Sequence, residues 1–154
     1  INFVMYIDRL DRTSEGWRII DYKTGKDELS TGGNLDNLFN PAYKGAVDGI
    51  FQLLTYAEAY RDITGDENVK IMLAIHALRK IAVDGEIKPL YHNKSAMEAF
   101  PALSAEFRPR LNSVISEIFD SETPFTQSVN KDACRYCKFR SMCGRVEESV
   151  DYSD

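Results

Sequence analysis

The distribution of β-branched and aromatic residues near the start of the chain predicts a β-hairpin. These residues are concentrated in positions 2–10 and 17–23, as is typical of strands. The residues between the two runs, 11–16, are mostly polar and favour a turn. Because side chains alternate along a strand, the second arm carries Asp21 and Lys23 on one face of the predicted sheet.

Helical periodicity follows the hairpin in two segments. Apolar residues recur at helical spacing in residues 49–64, which end before Gly65, and again in residues 103–119. Between these predicted helices, residues 69–78 form an apolar run typical of a buried strand, and residues 80–83 extend it or pair with it. The predicted element order is therefore ββαβ(β)α.

A polar connection separates the hairpin from the first predicted helix. It covers residues 24–48 and is rich in glycine and other residues that interrupt regular structure. A connection of this length is often functional or mobile. We find no internal repeat and no low-complexity segment.

The composition is that of one globular domain. The chain has 154 residues, of which 44% are hydrophobic, and this is enough for a single core. No apolar run reaches the roughly 20 residues that a membrane-spanning helix needs, so we expect a soluble, cytoplasmic protein. Because the chain opens inside a strand-like run, we expect residues 1–154 to be a C-terminal fragment of a larger protein. Its core would cover residues 1–125, and a cysteine-bearing tail residues 126–154.

Charge and cysteine content narrow the classes of function. The net charge of -5 argues against a surface that binds a polyanion over its whole extent, but it leaves room for a local site. The three cysteines, Cys134, Cys137 and Cys143, lie within ten residues of one another. An odd number of closely spaced cysteines suits a metal or cluster site better than a disulfide framework.

The clearest candidate for chemistry is a pair of carboxylates on the hairpin. If the turn is centred between residues 14 and 15, Asp8 stands directly opposite Asp21, with Cβ atoms roughly 5 Å apart. Like charges in that position destabilise a sheet unless a cation lies between them. Two carboxylates completed by water suit Mg²⁺, and Lys23 on the same face would orient or activate an attacking water.

A structural interpretation of the same residues stays open at this point. On a solvated hairpin face, Asp8 and Asp21 would pair with Arg9, Arg18 or Lys23 and contribute little to stability. A slip of one residue in the strand register would also move the two carboxylates to opposite faces.

Four motifs in a fixed order favour the functional interpretation. They are Y-I-D-R-L-D at residues 6–11, D-Y-K-T-G-K at residues 21–26, Q-L-L-T-Y at residues 52–56, and C-x2-C-x5-C at residues 134–143. Together they resemble the RecB-type PD-(D/E)xK nuclease family, in particular its AddB-like branch of nuclease domains attached to recombination helicases. Similar motifs occur in CRISPR adaptation nucleases.

The resemblance implies a fold and a set of site residues. The fold is a restriction-endonuclease-like α/β core with a mixed central sheet flanked by helices. Asp8, Asp21 and the backbone carbonyl of Tyr22 would be metal ligands, and Lys23 the catalytic lysine that acts with the two aspartates. Gln52 and Tyr56 match a helix motif that contacts DNA or orients groups at the site, and residues four apart do share a helix face. Arg9 and Asp11 are given supporting roles.

One element of the family pattern is not found in this sequence. Relatives usually carry an upstream helix with a His or Glu that approaches the metal, and this chain begins after that point. His76 and His92 lie downstream and cannot be carried over to that role.

The cysteines receive a more specific interpretation from the same resemblance. It implies a four-iron, four-sulfur cluster in the full-length protein, with a fourth cysteine upstream, so that Cys134, Cys137 and Cys143 form an incomplete ligand set here. Zinc and three unligated thiols are the alternatives, because spacing alone does not choose the metal. The basic residues Lys131, Arg135, Lys138, Arg140 and Arg145, interleaved with Tyr136 and Phe139, form either a contact surface for single-stranded DNA or a solvated face.

The predicted function is a Mg²⁺- or Mn²⁺-dependent deoxyribonuclease that hydrolyses phosphodiester bonds within a DNA repair or recombination helicase-nuclease. Its partners would be DNA and a helicase domain or subunit. We expect exonuclease action, although the sequence does not itself separate it from endonuclease action. Two other classes stay open, namely a non-catalytic DNA-binding or scaffold module of a helicase complex and a zinc-stapled interaction domain.

Overall fold

The computed structural model describes residues 4–24, 31, 33–44, 47–78, 88–89, 91–92, 95–96, 100–135 and 137–145. The strands are β1 (Arg9–Arg12), β2 (Trp17–Lys23), β3 (Ile71–Ala77), β4 (Lys88–Pro89), β5 (Tyr91–His92) and β6 (Ser95–Ala96). The α-helices are α1 (Asp48–Thr64) and α2 (Phe100–Ile118), and short 3-10 helices cover Leu35–Leu38 and Lys131–Cys134. None of the helices in these ranges is long and apolar enough to cross a membrane.

The central sheet is mixed and has the strand order β1-β2-β3-β4. Strand β2 pairs antiparallel with β1 and parallel with β3, while β4 pairs antiparallel with β3. Strands β5 and β6 form a separate antiparallel pair. Parallel strands cannot be joined by a tight turn, and α1 supplies the crossover between β2 and β3. The predicted α/β class with a mixed sheet and helices is confirmed.

The hairpin has the predicted register but a shorter first strand. Arg9 pairs with Ile20 and Arg12 with Trp17, so the same register continued by one residue would put Asp8 opposite Asp21. The turn closes with a bond from the Thr13 amide to the Gly16 carbonyl oxygen at 2.8 Å. The predicted strand over residues 2–10 is wrong for residues 4–8, which precede β1 and are not in a strand.

The helices and the third strand lie where the periodicity predicts them, with small shifts at their ends. Helix α1 is followed by the capping residue Gly65, whose φ of 68° permits the left-handed turn and whose amide donates to the Arg61 carbonyl oxygen. Helix α2 begins three residues earlier than predicted, at Phe100. Pro101 lies in its first turn, where a missing amide proton costs no hydrogen bond.

The other connections are described only in part. The predicted polar connection over residues 24–48 contains the 3-10 helix Leu35–Leu38, but residues 25–30, 32 and 45–46 lie outside the described residues. The predicted extension of β3 over residues 80–83 also lies outside them.

The core lies between one face of the sheet and the two long helices. Its fully buried members come from β2, β3, α1 and α2, and include Ile19, Leu73, Leu53 and Phe107. Helix α1 packs on both β2 and β3 and also contacts α2. This packing fixes α1 against the strand that carries Asp21 and Lys23.

Replacement of Gly16 tests the structure of the hairpin turn. Gly16 has φ 149°, and a Cβ there would lie 2.5 Å from the Lys70 carbonyl oxygen, which accepts the Trp17 amide at the start of the β2–β3 pairing. We expect Gly16→Ala to lower the free energy of unfolding by about 3 kcal/mol, because strain and a backbone clash combine. In Gly65→Ala the added Cβ meets nothing within 4 Å, and the expected loss is about 1 kcal/mol. Urea unfolding of both variants measures the difference, and equal losses would contradict the assigned clash.

Candidate active site

The candidate site lies at the carboxyl end of β2, where the sheet meets the beginning of α1. Trp17, at the other end of β2, contacts Tyr60 near the end of α1, with ring centroids 5.2 Å apart. Helix α1 therefore runs antiparallel to β2, and its first turns lie beside Lys23. The carboxyl ends of parallel strands are the usual location of functional sites in α/β sheets.

Asp21 places a buried charge at this point. The residue is 2% exposed. Its Oδ2 atom lies 2.7 Å from Nζ of Lys23, but the contact lacks hydrogen-bond geometry, and this oxygen has no hydrogen-bond partner among the described residues. A carboxylate oxygen without a hydrogen bond is costly to bury, and the lysine charge offsets part of that cost.

Lys23 connects the strand to α1. Its ammonium donates to Oε1 of Gln52 at 2.9 Å, and Nε2 of Gln52 lies 2.7 Å from the hydroxyl oxygen of Tyr56. Tyr56 is 8% exposed, so the atoms packed around it hold its hydroxyl in a fixed position. With its nitrogen directed to Tyr56, the Gln52 amide presents its oxygen to Lys23, as the positive charge requires. The structure thus joins Asp21, Lys23, Gln52 and Tyr56 in one chain of polar contacts.

Asp8 reaches the same edge through its side chain. Hydrogen-bonded pairs alternate along an antiparallel ladder, so the bond from Thr13 to Gly16 implies that the Tyr22 amide faces β1. That amide donates to Oδ2 of Asp8 at 2.9 Å. A side-chain carboxylate therefore takes the place of the next backbone acceptor. This explains why β1 begins only at Arg9 and why Asp8, in the observed ladder, is not paired with Asp21.

The supporting residues lie on the other face of the hairpin. Asp11 accepts hydrogen bonds from Arg9 at 2.8 Å and from Arg18 at 2.6 Å. The Arg9 bond first, and then the Arg18 bond, lower the pKa of the Asp11 carboxyl from its usual value. His76 lies beside Tyr22, with ring centroids 5.6 Å apart, and neither of its ring nitrogens has a hydrogen-bond partner within the described part of the chain.

The cysteines are not assembled into a metal site. Cys134 and Cys137 are half-buried and Cys143 is exposed, and all three are free thiols. Sγ of Cys134 accepts a hydrogen bond from Arg145 at 3.1 Å. In the described residues, which include all three cysteines, no group of three or more His, Cys, Asp or Glu side chains is arranged to hold a metal ion. As they are placed, these thiols do not fit a four-iron cluster, which needs four ligands.

Basic residues surround the thiols as the sequence predicts. Lys131, Arg135, Arg140 and Arg145 line a cavity of about 470 Å³ together with Cys134. Arg145 also donates to Oε1 of Gln127, and Phe139 is 66% exposed. Tyr136 lies outside the described residues.

Comparison with known proteins identifies the family. The family model of the PD-(D/E)XK nuclease superfamily matches residues 1–144, and the chain belongs to that superfamily. Membership indicates a nuclease, a hydrolase that acts on DNA. Neither the curated proteins nor the solved structures gave a significant match.

Nucleases of this superfamily generally use divalent metal ions, and the residues at the end of β2 fit one. The buried oxygen of Asp21 that lacks a hydrogen bond offers a hard anionic ligand. Asp8 brings a second carboxylate to the adjacent Tyr22 amide. Two carboxylates, a backbone carbonyl and water are ligands that Mg²⁺ accepts.

The ion pair of Asp21 with Lys23 can be tested by stability alone. In metal-free buffer, Lys23→Met should lower the free energy of unfolding by about 1–2 kcal/mol, because it leaves a buried carboxylate without a counter-charge. This value allows for the Lys23 side chain being 31% exposed. In an Asp21→Asn background, the same replacement should cost less than half as much. Equal costs in both backgrounds, measured by urea unfolding, would show that the two side chains do not interact.

Proposed function

We propose that this protein is a Mg²⁺- or Mn²⁺-dependent deoxyribonuclease that works in DNA repair or recombination together with a helicase domain or subunit. The observation that carries the proposal is the contact chain at the end of β2, in which a buried carboxylate, an ammonium and an oriented amide meet beside a second carboxylate. In a superfamily of metal-dependent nucleases, this arrangement supplies both the ligands and the cation that phosphodiester hydrolysis needs. The AddB-like motifs favour helicase association and exonuclease action.

Each residue has a distinct part in the proposed reaction. Asp8, Asp21 and the Tyr22 carbonyl would hold the metal ion, which supplies positive charge at the phosphate and lowers the pKa of a water molecule. The Lys23 ammonium would orient the attacking water and stabilise the negative charge that develops on the phosphate oxygens. The water oxygen would bond to phosphorus and release a proton to solvent, while the phosphorus–oxygen ester bond breaks and the leaving oxygen takes up a proton. Gln52 and Tyr56 lie next to Lys23, where they would orient it and contact the DNA backbone.

Replacement of the site residues gives the direct test. We expect Asp21→Asn to bring Mg²⁺-dependent cleavage of labelled DNA down to background, because the variant loses a metal ligand. We expect Lys23→Met to lower kcat by roughly 10²- to 10³-fold, since one charge that stabilises the transition state is removed. Calorimetric titration with Mn²⁺ should give saturable binding to the wild type and none to Asp21→Asn.

Asp11→Asn is the matched control. It removes one carboxylate from the same hairpin, and that carboxylate already accepts hydrogen bonds from Arg9 and Arg18. It should retain Mn²⁺ binding and cleavage. Wild-type cleavage that persists in Asp21→Asn would refute the assignment. DNA binding without Mn²⁺ binding or cleavage would support the alternative of a non-catalytic scaffold module.

For the tail, we propose that Cys134, Cys137 and Cys143 contribute to an iron–sulfur cluster that also needs a fourth ligand. The proposal is supported by the C-x2-C-x5-C spacing and by the likeness to AddB-type nucleases. It requires the thiols to rearrange, because Sγ of Cys134 is engaged by Arg145.

Metal analysis of anaerobically purified protein distinguishes the alternatives for the tail. A cluster would give iron and acid-labile sulfide, both lost in Cys137→Ser. Stoichiometric zinc that is lost in the same variant would favour a zinc-stapled domain instead. Protein free of both metals would indicate that the three thiols stay unligated in this chain.

A further inference from the structure

The position of Lys23 has a consequence for the metal site at Asp21, and the inference drawn from it rests on the function proposed above. Oδ2 of Asp21 is the buried oxygen without a hydrogen bond, and it is also the oxygen that lies 2.7 Å from the Lys23 ammonium. A cation is therefore already in contact with the carboxylate oxygen that the proposed metal ion would use. Two cations cannot share one oxygen at contact distance without strong mutual repulsion.

We propose that Lys23 and the divalent metal compete for Oδ2 of Asp21, so that the metal binds by displacing the Lys23 ammonium from this oxygen. In the metal-free protein, the lysine acts as a resident counter-ion that keeps the buried carboxylate neutralised. Its side chain is 31% exposed, so it has room to move away from the carboxylate.

Gln52 explains why the displaced lysine stays in the site. The ammonium has a second acceptor in Oε1 of Gln52, which belongs to α1 and not to β2. The hydrogen bond between Nε2 of Gln52 and the Tyr56 hydroxyl fixes the direction of that oxygen, whatever occupies Asp21. Lys23 therefore keeps one partner when it loses the other, and the amide holds its charge next to the scissile phosphate. Gln52 is in this sense a positioning residue for Lys23.

Metal affinity measures the competition without reference to turnover. A neighbouring opposite charge alters proton binding to a carboxylate by about 10- to 10³-fold, and removal of the competitor should tighten Mn²⁺ binding by at least the lower figure. We therefore expect the dissociation constant for Mn²⁺, measured by calorimetry, to fall about tenfold in Lys23→Met. Lys23→Gln should show the same change, and it serves as a second variant in case Lys23→Met does not fold.

The controls separate contact competition from a general effect of charge. Lys44→Met removes the same charge from an 82% exposed side chain that lies 4.0 Å from Asp132. It should leave the Mn²⁺ dissociation constant within about twofold, since exposed charges are screened by salt. An equal gain in affinity for Lys44→Met and Lys23→Met would overturn the proposal. Unchanged or weaker binding in folded Lys23 variants would overturn it as well.

Gln52→Leu tests the retention of Lys23. Because Lys23 contacts Gln52 both before and after displacement, the Mn²⁺ dissociation constant should stay within about twofold while kcat at saturating Mn²⁺ falls by roughly tenfold. A variant that binds Mn²⁺ as tightly as Lys23→Met would show that Gln52 holds the lysine only in the metal-free state, and this would overturn the retention step.

These outcomes are distinguishable from failure of the proposed function itself. If the metal site does not exist, neither the wild type nor the Lys23 variants bind Mn²⁺ in a manner that depends on Asp21. If the site exists and the competition does not, wild-type binding is abolished by Asp21→Asn but is not tightened in either Lys23 variant.

Discussion

The carboxylate of Asp21, which is 2% exposed, lies near the end of β2 and is in contact with the ammonium of Lys23, two residues further along the strand. Asp21 and Lys23 lie at alternate positions and therefore share one face of β2. An ammonium has three N–H donors, and Asp21 does not provide acceptors for all of them. Helix α1 supplies the missing acceptor through Gln52. The docking of α1 on the sheet and the composition of the candidate site are thus parts of one electrostatic arrangement.

A second buried carboxylate shows how a structural charge differs from this one. Glu58, also on α1, is 4% exposed, and its Oε2 atom lies 2.7 Å from Arg108 and 3.1 Å from Arg61. Two guanidinium groups neutralise it and tie α1 to α2. Asp21 has one lysine, in a contact that lacks hydrogen-bond geometry. Each of the two carboxylates keeps one buried oxygen without a hydrogen-bond partner within the described residues, so the difference lies in their counter-charges: one ammonium for Asp21 and two guanidinium groups for Glu58.

The cysteine-bearing tail differs from the hairpin site in how firmly its functional groups are held in place. At the hairpin, paired strands and a packed helix hold each polar group in place. The three thiols lie on a short 3-10 helix and the turns after it, and Arg145 engages one of them. Short segments of this kind have little packing of their own to impose a ligand geometry. The sequence spacing that brings three cysteines within ten residues is therefore insufficient to bring their sulfur atoms together.

The order of residues along the chain is enough to predict most of the elements and the PD-(D/E)XK superfamily. Alternation and turn residues predicted the hairpin and its register, because a strand period of two and a short turn leave few alternatives. Helical spacing predicted α1 and the shared face of Gln52 and Tyr56, since both are local properties. The family motifs can likewise be recognised from the sequence, because each is a short run of residues and their order is fixed. The extent of β1 was not, because it depends on the Asp8 side chain replacing a backbone acceptor.

The way in which these parts meet depends on packing between segments that are distant along the chain. The burial of Asp21 depends on tertiary packing, in which α1 lies on β2 and β3, and the contact of Lys23 with Gln52 joins residues 29 positions apart. Resemblance put Gln52 near the site, but neither periodicity nor composition specifies which helical residue faces which strand end. That choice is made by packing, because the apolar faces of α1 and the sheet fit together in one arrangement. The polar chain from Asp21 to Tyr56 is a consequence of that fit.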